Sequence, residues 1–145
     1  GLARFARIVD LLHDQQATEQ FPGYREAARA TLRLVRRRSL LVWITDLLDA
    51  EQGADLLGAL VGLRRRHLSV VVALDDPTVR AQAASVPTDE ASLFVRVGAA
   101  EALEERAALL LRLRNAGAHV LDEPADRLPP ELVDRYLDIK LRGLV

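Results

Sequence analysis

The sequence has no cysteine and no methionine, and aromatic residues make up only 4% of its 145 positions. Without cysteine the chain has no disulfide, no thiolate metal ligand and no cysteine nucleophile. With so few aromatic residues, leucine, valine and alanine must fill the hydrophobic core. Because a native reading frame normally begins with methionine and this chain begins with Gly1, we expect it to be a piece of a longer protein.

Positive and negative charges nearly balance: the chain has 20 Lys and Arg residues and 21 Asp and Glu residues, for a net charge of -1. This balance gives no electrostatic reason to expect a nucleic-acid partner or binding to an anionic membrane. No apolar run reaches the roughly 20 residues that a membrane-spanning helix needs, and the start lacks a signal-peptide pattern. The length suits one domain, which we assign to residues 1–145.

The common catalytic patterns are missing as well. There is no P-loop, no G-x-G-x-x-G and no G-x-S-x-G motif. The histidines His13, His67 and His119 lie far apart in the sequence, and no serine has an adjacent base. No catalytic residue is therefore predicted.

Apolar runs and helical periodicity alternate along the chain. The stretch LLVWI is uninterrupted and stops at Thr45-Asp46, and such runs are typical of strands covered on both faces of a parallel sheet. We predict strands over 40–45, 68–74 and 118–121. Helical spacing predicts helices over 3–13, 23–37, 50–66, 77–84, 98–115 and 130–142, whereas 85–98 fits neither pattern. This order predicts a three-layer, Rossmann-like α/β fold with a parallel sheet between helices.

In this topology the basic and the acidic residues next to the strands lie at opposite edges of the sheet. The arginine runs 36–38 and 64–66 precede strands, so they fall at the N-terminal edge, where they can simply complement helix dipoles. Acidic residues follow the strands and gather at the C-terminal edge, where open α/β sheets bind ligands. These acidic residues are Asp46, Asp49, Asp75, Asp76, Asp122 and Glu123.

Several of these carboxylates fit a structural role as well as ligand binding. Asp49, and either Asp75 or Asp76, fit the N-cap positions of the helices that follow. Asp46 lies at the strand exit before two more apolar residues, so both a structural role and a ligand role stay open for it. Carboxylates and hydroxyls such as that of Thr45 are suitable ligands for Mg²⁺, but one carboxylate and one hydroxyl do not complete a site.

A resemblance to a known family of domains rests on four stretches of the sequence. They are YREAARATLRLV (24–35), RRRSLLVWITDLLD (36–49), RRHLSVVVALDDP (65–77) and NAGAHVLDEPADRLPPELVDRYLDIKLRGL (115–144). Together they resemble the C-terminal half of a von Willebrand factor A-like domain, and more narrowly the bacterial domain-of-unknown-function family fifty-eight. The resemblance implies that the chain holds the last three strands of the full fold with their flanking helices.

The resemblance also implies a metal-ion-dependent adhesion site that binds Mg²⁺ in the intact protein. Asp46 matches the carboxylate after the fourth strand of such domains, with Thr45, Asp49, Asp75, Asp76 and Asp122 as accessory residues of the same edge. The Asp-x-Ser-x-Ser motif is absent and no threonine can be matched, so we expect no metal in this chain alone. Family members are often membrane-anchored and encoded beside MoxR-type AAA+ ATPases, which implies a cytoplasmic domain with such a partner.

In that family the strand of Trp43 pairs with a first strand that is missing here. We therefore expect the edge at Trp43 to be a binding edge, which either mediates self-association through 40–45 or is covered by the first helix. The favoured function is a non-enzymatic protein-interaction module. The alternatives are a small Mg²⁺-dependent hydrolase or phosphotransfer domain using Asp46, Asp75 and Asp122, and a folded scaffold that binds nothing.

Overall fold

The computed structural model describes residues 2–16, 22–47 and 50–145, and these ranges contain six helices and three strands. In chain order they are α1 (Leu2–His13), α2 (Tyr24–Leu34), β1 (Leu40–Thr45), α3 (Ala50–Leu63), β2 (Leu68–Ala73), α4 (Pro77–Ala84), α5 (Glu90–Asn115), β3 (His119–Leu121) and α6 (Leu128–Leu141). The mixed α/β class and all three predicted strands are confirmed. None of the helices in these ranges combines the length and apolar character that a bilayer crossing requires.

The three strands form one parallel sheet in the order β1-β2-β3. Val42 lies beside Val70, which in turn lies beside His119. As the central strand, β2 has neighbours on both sides and is buried from Ser69 to Ala73. Helices in the crossovers join the strands, as parallel pairing requires. The arrangement is consistent with part of a Rossmann-like fold.

Helices cover the two faces of the sheet unequally. Trp43, Val71 and Val120 lie on the face that packs against α2, α3 and α5. The buried leucines of this larger core are Leu47, Leu56, Leu60, Leu63, Leu109, Leu110 and Leu113. On the other face, Val70 and Val72 pack against Ile139 of α6. Among the described helices, α6 is the one that covers this second face.

The prediction that β1 is covered on both faces is wrong. Val42 is 44% exposed and Ile44 is 66% exposed, although both belong to the apolar run. Helix α6 packs over the buried valines of β2 and over Leu121 of β3, and β1 lies beyond it at the margin of the sheet. The outer part of the second face is thus apolar and open to solvent.

The alternative that the first helix covers the β1 edge is also wrong for this structure. Helix α1 forms as predicted, but every side chain from Ala3 to His13 is exposed. Its apolar stripe includes Phe5, Ile8 and Leu12. Helical periodicity determines which face is apolar, but it does not determine where that face docks.

Helix α5 begins eight residues earlier than predicted. A capping box starts it at Asp89, whose Oδ1 accepts a hydrogen bond from Ser92 N at 2.7 Å, while Ser92 Oγ accepts from Asp89 N at 3.0 Å. The two side chains thus satisfy free backbone N–H groups of the first turn. As predicted, the helix stops before Gly117, whose φ of 94° is the left-handed conformation typical of glycine there.

The arginine runs lie beyond the helices that were predicted to include them. Helix α2 ends at Leu34 and α3 at Leu63, so residues 36–38 and 64–66 belong to the turns before the strands. Arg66 Nη1 donates to Leu32 O at 3.3 Å, in the last turn of α2. Arg38 Nε donates to Leu144 O at 2.7 Å near the C-terminus. These contacts serve the packing of the N-terminal edge.

Candidate functional site

A cavity of about 230 Å³ lies at the C-terminal ends of β1 and β2. Asp46, Asp75 and Asp76 line it, so three of the predicted acidic residues do come together. Its walls are mostly apolar and include Leu47, Leu74, Val79, Ala102 and Leu103. The remaining lining residue is Arg106 of α5, which sequence reasoning missed.

Arg106 neutralises part of the acidic edge. Its Nη1 donates to Asp122 Oδ1 at 2.7 Å, and its Nη2 donates to the carbonyl oxygens of Ala73 at 3.3 Å and Leu74 at 3.1 Å. The Arg106 side chain is only 12% exposed. A guanidinium therefore occupies the space between the ends of β2 and β3, where carboxylates alone were expected.

A sequence signal for Arg106 does exist. Buried or half-buried residues of α5 include Ala99, Leu103, Leu110 and Leu113, and Arg106 lies on the same helical stripe, three positions after Leu103 and four before Leu110. A charged residue on a buried stripe usually has a partner, because an unpaired charge there is costly. The stripe thus predicts a partnered arginine, although not which carboxylate it meets.

Asp75 and Asp76 both have structural partners. Asp75 Oδ2 accepts from Arg80 Nε at 2.5 Å, and the Asp75 side chain is mostly buried. Asp76 is the N-cap of α4, as expected, and its Oδ1 accepts from Thr78 N at 2.8 Å. Pro77 occupies the first turn, where its missing N–H is harmless.

Asp46 differs from the other strand-end carboxylates. It is exposed at the rim of the cavity, and within the described parts of the chain it forms no ion pair. The next residue, Leu47, has a φ of 49° and a buried side chain. A leucine in this conformation is strained by about 1 kcal/mol or more, and the packing of its side chain in the core holds it there. Asp49 lies outside the described residues.

Thr45 and Trp43 belong to the core side of β1. Thr45 is buried and its Oγ1 lies 2.5 Å from the Tyr24 hydroxyl, so its oxygen is directed to α2 and not to the cavity. The Trp43 and Tyr24 rings are 6.3 Å apart and tilted by 59°. The indole Nε1 of Trp43 is buried and has no acceptor among the described residues. Trp43 therefore marks the edge strand, but its ring faces inward.

The described residues do not fit a metal ion. Among them, no group of three or more histidine or acidic side chains is arranged to hold one. Arg80 and Arg106 hold Asp75 and Asp122, and Thr45 is bonded to Tyr24, so Asp46 is left as a single ligand. The hydrolase alternative needs at least two free carboxylates that converge, and among the described residues Asp75 and Asp122 are each paired with an arginine.

The histidines of the sheet lie at the opposite edge, as the topology predicts. His67 is 1% exposed, and burial, then Arg66 and Arg38, lower its pKa from the ordinary value. Burial also lowers the pKa of His119. Both ring nitrogens of His67 and the hydroxyl of Ser69 lack partners among the described residues, and they line a cavity of about 30 Å³. Such a cavity has room for water but not for an organic substrate.

Comparisons with known proteins identify no relative. No protein-family model matches the chain, and no curated protein or solved structure matches it either. The resemblance to a von Willebrand factor A-like domain therefore stays a prediction.

Proposed function

We propose that the chain is a non-enzymatic protein-interaction module that binds its partner through the β1 side of the sheet. The observation that carries this proposal is the free outer edge of β1. Within the described residues, β1 pairs only with β2. An unpaired strand edge presents a row of hydrogen-bonding groups to another chain.

The backbone bonds of β1 identify the groups at that edge. Ser39 O and Thr45 O accept from β2-side N–H groups at 3.0 and 2.8 Å, so odd-numbered residues direct their backbone toward β2. Because strands alternate with a period of two, Leu40, Val42 and Ile44 direct their N–H and C=O groups outward. The outward groups belong to apolar residues, and Val42 and Ile44 are exposed.

The edge lacks the features that protect most edge strands. LLVWIT contains no charged residue and no proline, and β1 runs in unbroken register with β2 from Leu40 to Thr45. Natural sheets usually block a free edge with lysine, proline or a bulge. An unprotected edge is therefore better explained by a partner that occupies it.

The partner class and the role of Asp46 come from the resemblance. A MoxR-type AAA+ ATPase is the proposed partner, in the assembly or maturation of other proteins, and the module would be a cytoplasmic part of a membrane-anchored protein. Mg²⁺ dependence would require ligands from outside the described residues, and we propose that Asp46, at the end of β1, joins them.

Binding of the purified chain to a MoxR-type ATPase from the same genome tests this proposal. We expect Val42→Lys to weaken binding at least tenfold, whereas Val61→Lys, at a valine of α3 that is 45% exposed, leaves it unchanged. Equal affinity of both variants would contradict a role for the edge. In the full-length protein, where the other ligands are expected, Asp46→Ala should abolish Mg²⁺-dependent binding, whereas Asp134→Ala, at an exposed carboxylate of α6, should leave it unchanged.

A Mg²⁺-dependent phosphatase assay separates this function from the hydrolase alternative. We expect no turnover above background, since Asp75 and Asp122 are held by arginines. Turnover that Asp46→Ala abolishes would favour the enzyme instead.

A further inference from the structure

We infer that a second copy of this chain occupies the β1 edge, with the two β1 strands antiparallel and Val42 opposite Val42 of the other copy. This inference rests on the proposed function, because it names a second copy as an occupant of the same edge, where it would compete with the ATPase. The result would be a continuous six-stranded sheet across a twofold axis.

Symmetry and hydrogen bonding restrict the register. A twofold axis that relates two antiparallel strands of one sheet is perpendicular to the sheet. It places residues of the same face opposite each other, so one residue of β1 must lie opposite the same residue of the other copy. Leu40, Val42 and Ile44 direct their backbone groups to the free edge. With Val42 at the centre, Leu40 faces Ile44 of the other copy, and all three outward residues form hydrogen-bonded pairs.

Charge favours the same arrangement. Arg36, Arg37 and Arg38 precede β1, and Asp46 follows it. In an antiparallel pair centred on Val42, Arg38 lies opposite Asp46 of the other copy at both ends of the interface. Parallel pairing would instead place the two arginine runs side by side, where like charges repel.

The two charged residues are available for this contact. Both are exposed. Arg38 donates to Leu144 O through Nε, which leaves the terminal nitrogens of its guanidinium directed away from that bond. Centring the pair on Trp43 would instead oppose Asp46 to apolar Leu40 and leave Arg38 without a carboxylate opposite it.

The apolar side chains agree with this register. Val42 and Ile44 lie on the uncovered part of the second face. In the dimer, Val42 packs beside Val42 of the other copy, and Ile44 packs beside Leu40 of the other copy. The exposed apolar side chains of β1 thus gain contacts across the interface. Side chains directly opposite each other on one face of an antiparallel pair are close enough to pack together.

Sedimentation equilibrium of the chain alone tests the dimer. We expect the mass to rise from 16.0 kDa toward twice that value as concentration increases from on the order of 1 µM to 1 mM. Val42→Lys places two ammonium groups face to face and should keep the chain monomeric, whereas Val61→Lys should dimerise normally. A monomer at every concentration, or a dimer that tolerates Val42→Lys, overturns the inference.

Charge reversal tests the register itself. R38E and D46R should each weaken dimerisation roughly tenfold, because each turns two attractive pairs into repulsive ones. Mixing the two variants restores attraction at both ends, so the mixture should form heterodimers at concentrations where each variant alone is monomeric. Failure of the mixture to associate more strongly than either variant alone overturns this register.

The outcomes also separate the inference from the proposed function. A chain that stays monomeric but binds the ATPase through the edge excludes the second copy and leaves the interaction module intact. A chain that dimerises as described but shows no edge-dependent ATPase binding supports the second copy and excludes that partner.

Discussion

Arg106 Nη1 donates to Asp122 Oδ1 at 2.7 Å, while Nη2 of the same guanidinium reaches the carbonyl oxygens at the end of β2. One side chain of α5 thus ties together the C-terminal ends of two strands. The contact makes the cavity at this edge less acidic than the sequence suggests. It therefore has consequences for stability and for ion binding.

Replacing Arg106 by alanine should lower the free energy of unfolding by about 1–3 kcal/mol, because a partly buried carboxylate and two carbonyl groups lose their donor. Urea denaturation followed by circular dichroism measures the change. Arg96→Ala is the matched control, since Arg96 is an exposed arginine of the same helix. A loss for Arg106→Ala no larger than that of the control would contradict the structural role.

The pair of Tyr24 and Thr45 should show coupling in a double-mutant cycle. Tyr24→Phe or Thr45→Val alone leaves one buried hydroxyl without this partner and should cost about 1–2 kcal/mol. The double variant removes both hydroxyls and should cost less than the sum by about 1 kcal/mol. Tyr136→Phe, at a tyrosine that is 44% exposed, should change little, and additive losses would show that the hydroxyls do not interact.

Two glycines of α3 should respond to alanine with opposite signs. A Cβ at Gly53 would lie 2.2 and 2.7 Å from the two methyl groups of Leu109, whereas one at Gly62 meets nothing within 4 Å. Gly53→Ala should lower the free energy of unfolding by about 1 kcal/mol or more, because overpacking outweighs the gain in helix propensity. Gly62→Ala should raise it by about 0.5–1 kcal/mol. Thermal melts of both variants suffice, and stabilisation of both would disprove the close α3–α5 contact.

Stability should decrease as the pH falls below about 6.5, the ordinary pKa of histidine. Burial, followed by Arg66 and Arg38, lowers the pKa of His67, so the unfolded chain binds a proton more readily than the folded chain does. The unfolded state then gains protons first, and the free energy of unfolding declines toward the folded pKa. Denaturation curves between about pH 8 and about pH 5 cover this window.

His67→Leu should flatten this pH dependence. His119→Gln is measured beside it, because burial lowers the pKa of His119 too and its contribution falls in the same range. Asp89, whose pKa the Ser92 hydrogen bonds lower, acts only near its ordinary value of 3.8 and below. A slope that persists unchanged without His67 would show that another group is responsible.

Much of the fold could be predicted because periodicity and capping are local properties. The apolar run of β2 is buried as expected, and Asp76 begins α4 as its position before Pro77 indicates. The start of α5 was missed although Asp89 and Ser92 have capping-box spacing, because Ser replaces the usual Glu or Gln. The placement of Asp46 and Asp75 at one edge follows from parallel topology alone.

The sequence by itself determined the order of helices and strands and the edge at which the acidic residues gather. Only the tertiary structure decided which of those acids are neutralised, because ion pairing depends on how α4 and α5 pack and on where Arg80 and Arg106 then reach. It also decided that β1 is half covered, since helix packing across the sheet is a long-range property. A run of apolar residues specifies a strand, but the number of covered faces depends on the neighbours that the fold provides.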